Sequence, residues 1–188
     1  MLRIYDVIFS LLGLIITLPI FLLFFLFSFY QEGSFIFKQK RVGYKNKTFY
    51  LLKIRTMKTT TKNIPTHELN KKTFYFYGSF LRKTKLDELP QLINVIKGEM
   101  SLVGPRPCLL TQTELINERN KFKIYLYKPG ITGLSQLRKI DMSNPKILAK
   151  SDFEMINNYN FSSYFKYIIM TVFGSGYGDR INKQMKKK

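Results

Sequence analysis

Residues 82–107 read Arg-Lys-Thr-Lys-Leu-Asp-Glu-Leu-Pro-Gln-Leu-Ile-Asn-Val-Ile-Lys-Gly-Glu-Met-Ser-Leu-Val-Gly-Pro-Arg-Pro. Leu89, Leu92, Ile93 and Ile96 recur at helical spacing, Lys97 falls in the last turn and Gly98 follows as a stop, so the middle of the stretch predicts one short helix. Asp87 then stands at the helix entrance, where a carboxylate accepts the orphan N–H groups of the first turn. Pro90 suits a first-turn position that needs no donor. Met100 to Val103 is a short strand-like run, and the prolines on either side of Arg106 restrict its backbone.

The chemistry follows from the placement. The positive end of a helix dipole favours an ionised carboxylate at Asp87 and a phosphate brought beside it. Glu88 is one residue on, and adjacent helix positions do not face each other, so the two acids do not form a pair flanking one glycosidic bond. One of them can attack or hold a divalent cation while the other orients it. The restricted Arg106 loses less entropy when its guanidinium forks onto a phosphate or carboxylate. Taken singly, Asp87 reads more readily as a plain helix cap and Arg106 as the partner of a surface acid.

At 188 residues the chain suits one domain. Lys and Arg number 31 against 12 Asp and Glu, a net charge of +19, so the expected partner is anionic. Nucleic acid, an anionic phospholipid membrane and phosphorylated substrates all qualify, and the apolar N-terminus favours the last two over nucleic acid. Cys108 is the only cysteine and His67 the only histidine. That excludes an internal disulfide and a cysteine-rich or multi-histidine metal site, and leaves carboxylates to carry any chemistry.

From Val7 to Phe29 no residue is charged, and as a helix this run is about 34 Å long, enough to cross a hydrocarbon core of about 30 Å. It exceeds the apolar part of a signal peptide, and no small-residue cleavage site follows. Pro19 removes a helical hydrogen bond and clashes with the Ile15 carbonyl, which predicts a kink or break at Leu18-Pro19, with Thr17 available to the freed carbonyls. Pattern alone favours a simple span. The chain divides into a membrane-inserted segment, 1–30, and a domain, 31–188. The domain is α+β and mostly helical, with one small β-hairpin.

That hairpin is predicted with strands at Phe35–Lys38 and Phe49–Ile54, a turn at Gly43–Lys47, and Tyr50, Leu52 and Ile54 alternating on one face. Its lysines make a basic collar next to the apolar helix. Lys58 to Lys72 is a polar loop, after which Phe80-Leu81-Arg82 forms a short helix delivering Arg82 toward Asp87. Leu109–Tyr127 reads as a surface helix, Pro145–Tyr159 as another, and Tyr164–Phe173 as an interfacial or core helix too short to span. Lys183 and Lys186 to Lys188 form a basic tail. Between these helices, Lys128-Pro129-Gly130-Ile131-Thr132-Gly133 offers a type II turn at Pro129-Gly130, with glycines that let backbone N–H groups approach a ligand.

The central block resembles the catalytic core of the bacterial sugar transferase family, the monotopic phosphoglycosyl transferases. Leu86-Asp87-Glu88-Leu89-Pro90-Gln91-Leu92, Asn94-Val95, Lys97-Gly98, Met100-Ser101 and Gly104-Pro105-Arg106-Pro107 match its pattern. Lys53-Ile54-Arg55-Thr56-Met57 resembles its Lys-aromatic-Arg-Thr-Met signature, with Ile54 in the aromatic place, and residues 129–133 match its Pro-Gly-Ile-Thr-Gly loop. The resemblance implies an enzyme on the cytoplasmic face of the bacterial inner membrane that starts surface glycan or glycoconjugate assembly. It would move a sugar 1-phosphate from a UDP-sugar to polyprenol (undecaprenyl) phosphate, release UMP and need Mg2+. It implies Asp87 as nucleophile and metal ligand, Glu88 as its essential companion, and Arg82 and Arg106 as phosphate ligands. Pro129, Gly130, Thr132, Gly133 and Gln136 fall at the nucleotide end. Many members continue from this glutamine with Asn-Gly-Arg, where this chain has Leu137-Arg138-Lys139, so Arg138 or Lys139 stands in as the phosphate ligand. The resemblance also reverses the preference at Leu18-Pro19, implying a re-entrant helix-break-helix with both ends cytoplasmic. Two rivals remain: direct transfer in which the carboxylates only hold Mg2+, and a non-enzymatic basic scaffold at the membrane.

Overall fold

Helix α1 (Leu2–Ser28) runs along the rest of the chain and touches it near both ends. The structure, a computed structural model, describes residues 2–28, 34–58, 75, 77–140 and 142–173; the polar stretch beyond Lys58 and the basic tail fall outside them. α1 is the one helix among the described residues that is long and apolar enough to cross a membrane. Its element is not interrupted at Leu18-Pro19: Pro19 lies inside it, and Thr17 Oγ1 donates to the Gly13 carbonyl at 2.6 Å, not to Ile15. A proline in a helix interior can bend it without ending it.

Near its start, the Arg3 guanidinium donates to the carbonyls of Ile96 (3.0 Å) and Met100 (3.4 Å), beside the end of α3 (Gln91–Lys97). Asp6 is buried, and its Oδ1 accepts from Ser101 Oγ, the Leu102 N–H and Tyr164 Oη, each at 2.9 Å. A buried acid with three donors is an anchor, because leaving any of them unpaired away from water costs free energy. Near the other end, Phe24 joins a cluster with Ile54, Tyr77 and Leu81. Between the two contacts Leu11, Leu12, Ile15, Ile16, Leu18, Leu22 and Leu23 are exposed.

Strands β1 (Ile36–Val42) and β2 (Thr48–Ile54) form the expected antiparallel hairpin, paired from Ile36 with Ile54 to Val42 with Thr48. The single-face alternation is corrected: Leu51 to Ile54 are all buried, since the strand is covered on both sides at this end. Leu51 packs with Val95 and Met100, and Ile54 packs with Phe24 and Leu81. By the two-residue period Lys53 shares the side of Leu51, toward α3. Asn94 of α3 fixes that approach: its Oδ1 accepts the Leu52 N–H at 3.0 Å and its Nδ2 donates to the Tyr50 carbonyl at 2.8 Å.

A second sheet joins β3 (Ser101–Val103) in parallel to β4 (Gly130–Thr132), with Ser101 opposite Gly130 and Val103 opposite Thr132. The expected type II turn at Pro129-Gly130 is therefore a strand entrance. Among the described glycines only Gly98 has a positive φ (84°), the value that lets it end α3, so Gly130 lacks the φ a type II turn requires. Gly130 serves close packing instead: a Cβ there would lie 2.0 Å from the Gly104 nitrogen, and one on Gly104 would lie 2.4 Å from the Lys128 carbonyl oxygen.

The remaining helices are α2 (Gly78–Thr84), α4 (Thr113–Lys121), α5 (Leu134–Leu137), α6 (Pro145–Asn157) and α7 (Phe161–Val172). α4 is shorter than the helix expected over 109–127, which breaks at Phe122 and resumes as a 3-10 turn at Ile124–Leu126. α7 is both core and surface. Tyr164 and Tyr167 are buried with Val103 and Met155, while Phe161, Ile169 and Val172 are exposed. The architecture is α+β, with small sheets among helices.

Candidate active site

The acidic pair does not cap α3. Leu86–Glu88 form a 3-10 turn of their own, Pro90 occupies the cap position of α3, and no side-chain capping bond is made there. The reason is upstream: Lys85 takes a left-handed conformation (φ 62°), which reverses the chain after α2 and makes a separate turn of the acids. Asp87 is 3% and Glu88 8% exposed.

Burying two neighbouring carboxylates is expensive unless cations compensate. For Glu88 they do. Its Oε1 accepts from Lys53 Nζ at 2.9 Å and from Arg106 Nη2 at 3.1 Å. Lys53 comes from β2 and Arg106 from the Gly104–Pro107 loop, so one carboxylate oxygen ties hairpin, acidic turn and loop together. Arg82, expected beside the acids, lies on the helix just before them. Its Nε donates to Thr56 Oγ1 at 2.9 Å and its Nη2 approaches Met57 Sδ at 3.1 Å, just past the end of β2. Lys53, Thr56 and Met57 of the signature run thus meet Glu88 and Arg82.

Lys53 is the functional candidate that sequence reasoning passed over, a member of the signature run that was given no role of its own. The signal was available, since it stands in a strand between apolar neighbours and in the resembling run.

The backbone of Arg106 is held from two sides. Arg119 Nη1 donates to its carbonyl at 2.8 Å, while Arg41 Nη1 donates to the Pro107 carbonyl at 3.1 Å and the Val42 N–H to the Cys108 carbonyl at 3.0 Å. Arg119 in turn forks onto Asp152 Oδ2 at 2.9 and 2.6 Å, and Asp152 Oδ1 accepts from Ser135 Oγ at 2.7 Å. Burial works against the Arg119 charge, but Asp152, with Cys108 and Tyr125, more than offsets it and holds the guanidinium above its usual value.

The other predicted residues are placed differently. Thr132 Oγ1 hydrogen-bonds Thr171 Oγ1 of α7, and Pro129, Gly130 and Gly133 pack backbone against backbone with the Val103-Gly104 segment. Gln136 is 7% exposed, and neither atom of its amide has a hydrogen-bond partner among the described residues. Buried amides are rarely left so, which makes Gln136 the member of this set with hydrogen bonds to offer a ligand. Arg138 is on the surface, forked across Glu154, whose carboxyl it lowers by hydrogen bonding. Lys139 is exposed in a left-handed conformation (φ 61°). The Arg138 guanidinium is thus engaged on α6.

No group of three or more His, Cys, Asp or Glu side chains gathers among the described residues. Mg2+ does not need one: it commonly takes one or two carboxylates and completes its shell with water and substrate phosphate oxygens. The oxygen donors of the acidic turn fit such a cation, and Asp87 and Glu88 are the residues that would hold it.

Known proteins resemble this chain along most of its length. It is 38% identical over 154 residues to the exopolysaccharide production protein ExoY of Sinorhizobium fredii, covering 72% of this chain and 67% of that protein. It is 35% identical over 153 residues to the undecaprenyl-phosphate galactose phosphotransferase of Salmonella typhimurium, covering 72% of this chain and 32% of that protein. With the UDP-glucose:undecaprenyl-phosphate glucose-1-phosphate transferase of Xanthomonas campestris pv. campestris it shares 36% identity over 124 residues, 62% of this chain and 25% of that one. The matches thus span two thirds of the first relative and a third or less of the other two. A match to the bacterial sugar transferase model over residues 1–175 takes in every element from α1 to α7, the acidic turn among them, and the chain belongs to that family.

Proposed function

We propose that the protein transfers a sugar 1-phosphate from a UDP-sugar to polyprenol phosphate by way of a covalent aspartyl intermediate. The observation that carries the reading is the engagement of Glu88. A carboxylate whose oxygen accepts from Lys53 and Arg106 is a good anchor, and it fixes the turn that carries Asp87, the residue to which the family resemblance gives the attack.

An Asp87 oxygen forms a bond to the β-phosphorus of the donor while the bond to UMP breaks, leaving the sugar phosphate on the aspartate as an acyl phosphate. A phosphate oxygen of the acceptor lipid then attacks the same phosphorus and the Asp87 carboxylate leaves, giving polyprenol diphosphate sugar. Anion attacking anion is the central difficulty, and Arg82 and Arg106 reduce the repulsion while the excess of basic residues draws the donor in. Mg2+ held at Asp87 would supply further charge neutralisation on the diphosphate. Gln136 offers the unspent hydrogen bonds of its amide to the nucleotide end. The relatives support the substrates: two names contain undecaprenyl phosphate and one contains UDP-glucose.

We place the enzyme on the cytoplasmic face of the membrane, with α1 as a re-entrant anchor. Both ends of α1 rest on one globular body, while exposed apolar residues run along the helix from Ile4 to Leu26, so insertion without crossing keeps both sets of contacts. The basic surface suits anionic phospholipid headgroups.

The test is to incubate the protein with UDP-sugar labelled in the sugar and withhold polyprenol phosphate. Label should remain on the denatured protein with a matching amount of UMP released, and Asp87→Asn should show neither while still partitioning into membranes. UMP release without protein-bound label would favour direct transfer, and turnover by Asp87→Asn within about tenfold of wild type would end the covalent reading.

A further inference from the structure

A cavity of about 240 Å3 opens between the first turns of α1, the β3–Pro105 segment and α6, on residues to which the transfer reading gives no role. Its walls are mostly apolar, with Val103 and Ile156 among them, and Arg3, Asp6 and Lys128 supply the charged groups. It has room for about eight water-sized groups.

The charges are unequal in number and in engagement. Asp6 is taken up by three donors, and Arg3 by two carbonyls. Lys128 has no salt bridge among the described residues. Burial lowers its ammonium, the Arg3 charge lowers it further, and Asp6 offsets this only in part. Arg3 Nη2 and Lys128 Nζ both flank Gly98, at 3.5 and 3.6 Å from where a Cβ would stand. Two cations against one carboxylate, with one cation uncompensated, favour an anion at the mouth. The apolar walls favour an anion that carries a hydrocarbon chain. α1 itself supplies the approach: Leu2, Arg3 and Asp6 line the cavity, and Ile4 and Ile8 of the same turns are exposed.

We propose that this cavity seats the phosphate head of a membrane lipid at Lys128, with the first carbons of its chain between Val103 and Ile156. The seat would fix the depth of the α1 entrance against β3, and Pro105, which also lines it, directly precedes the Arg106 that grips Glu88. A phospholipid diester and an isoprenoid monoester both carry the required chemistry.

The full chain in nonionic detergent micelles, without sugar nucleotide, is titrated calorimetrically with dihexanoyl phosphatidylglycerol, citronellyl phosphate and inorganic phosphate. At least one of the lipids should bind about tenfold or more tighter than inorganic phosphate, since each buried methylene adds affinity. Binding of the diester alone identifies a phospholipid, and binding of the monoester alone an isoprenoid acceptor; binding of both leaves a shared seat. Lys128→Met should weaken the bound lipid about tenfold and Lys128→Arg should retain it. Ile156→Phe, which fills the cavity, should erase the advantage of lipid over inorganic phosphate. Equal binding by wild type and a folded Lys128→Met, or inorganic phosphate binding as tightly as the lipids (an adventitious ion only), would overturn the proposal. Because no donor is present, the result is independent of whether Asp87 forms an acyl phosphate.

Discussion

Two arginines fork onto acids two residues apart on α6, and they do different work. Arg119 and Asp152 are each 1% exposed in their side chains, and the arginine extends beyond its acid to the Arg106 carbonyl. Arg138 and Glu154 are 47% and 45% exposed, and their pair ties the end of α5 to the outside of α6. The chemistry is alike, although Arg119 spends two donors on one oxygen and Arg138 spans both; the surroundings are what differ most. In water such a pair gains little, whereas inside the fold each member makes the other tolerable, so loss of one leaves a charge that nothing solvates.

The largest expected effect of separating the two pairs is at Asp152. Asp152→Ala strands the Arg119 charge and should cost about 3–5 kcal/mol, read as a lowered midpoint in chemical denaturation. A cost below about 1 kcal/mol would mean that solvent reaches Arg119 and that burial is not what distinguishes the pairs. A buried cation nearer the chemistry sharpens the contrast. Lys53→Met should cost less stability than Asp152→Ala, because Arg106 still faces Glu88, yet reduce kcat about 10- to 100-fold by loosening Glu88. Lys53→Arg should recover part of that rate, and a change confined to KM would remove Lys53 from a positioning role. The smallest effect belongs to Arg138→Ala. Thermal midpoint and KM for the sugar nucleotide should both stay close to wild type, whereas a rise in KM of about tenfold would restore Arg138 as a phosphate ligand.

The same contrast explains what could be read from residues alone. Arg119 sits in a helix with Glu114, Glu118 and Lys121, where it reads as one more solvated charge, and only the approach of α6 from distant sequence buries it. Arg138 draws a role because it stands where a motif wants an arginine, although the acid it forks onto lies sixteen residues on, beyond the reach of pattern. α3, its glycine stop and the hairpin were legible because spacing and turn residues specify them locally. β4 was not, since three residues become a strand only when β3 supplies the partner, and a Pro-Gly pair looks like a turn until that partner is known. The acidic turn was half legible. Its residues were identified, but its separation from α3 depends on the left-handed Lys85, which is not a residue type that announces such a conformation.

The way α1 is joined to the body also bears on how this protein can be handled at the bench. Membrane anchors are commonly trimmed to obtain a water-soluble catalytic fragment, but here residues 2–28 are a structural wall as well as an anchor. Their removal would withdraw the acceptor from Ser101 and Tyr164, uncap the end of α3 and open the Ile54–Leu81 cluster that Phe24 closes. A shortened version would keep every residue of the acidic turn and lose the frame that holds it, so preparations of this protein should keep the helix and bring the detergent to it.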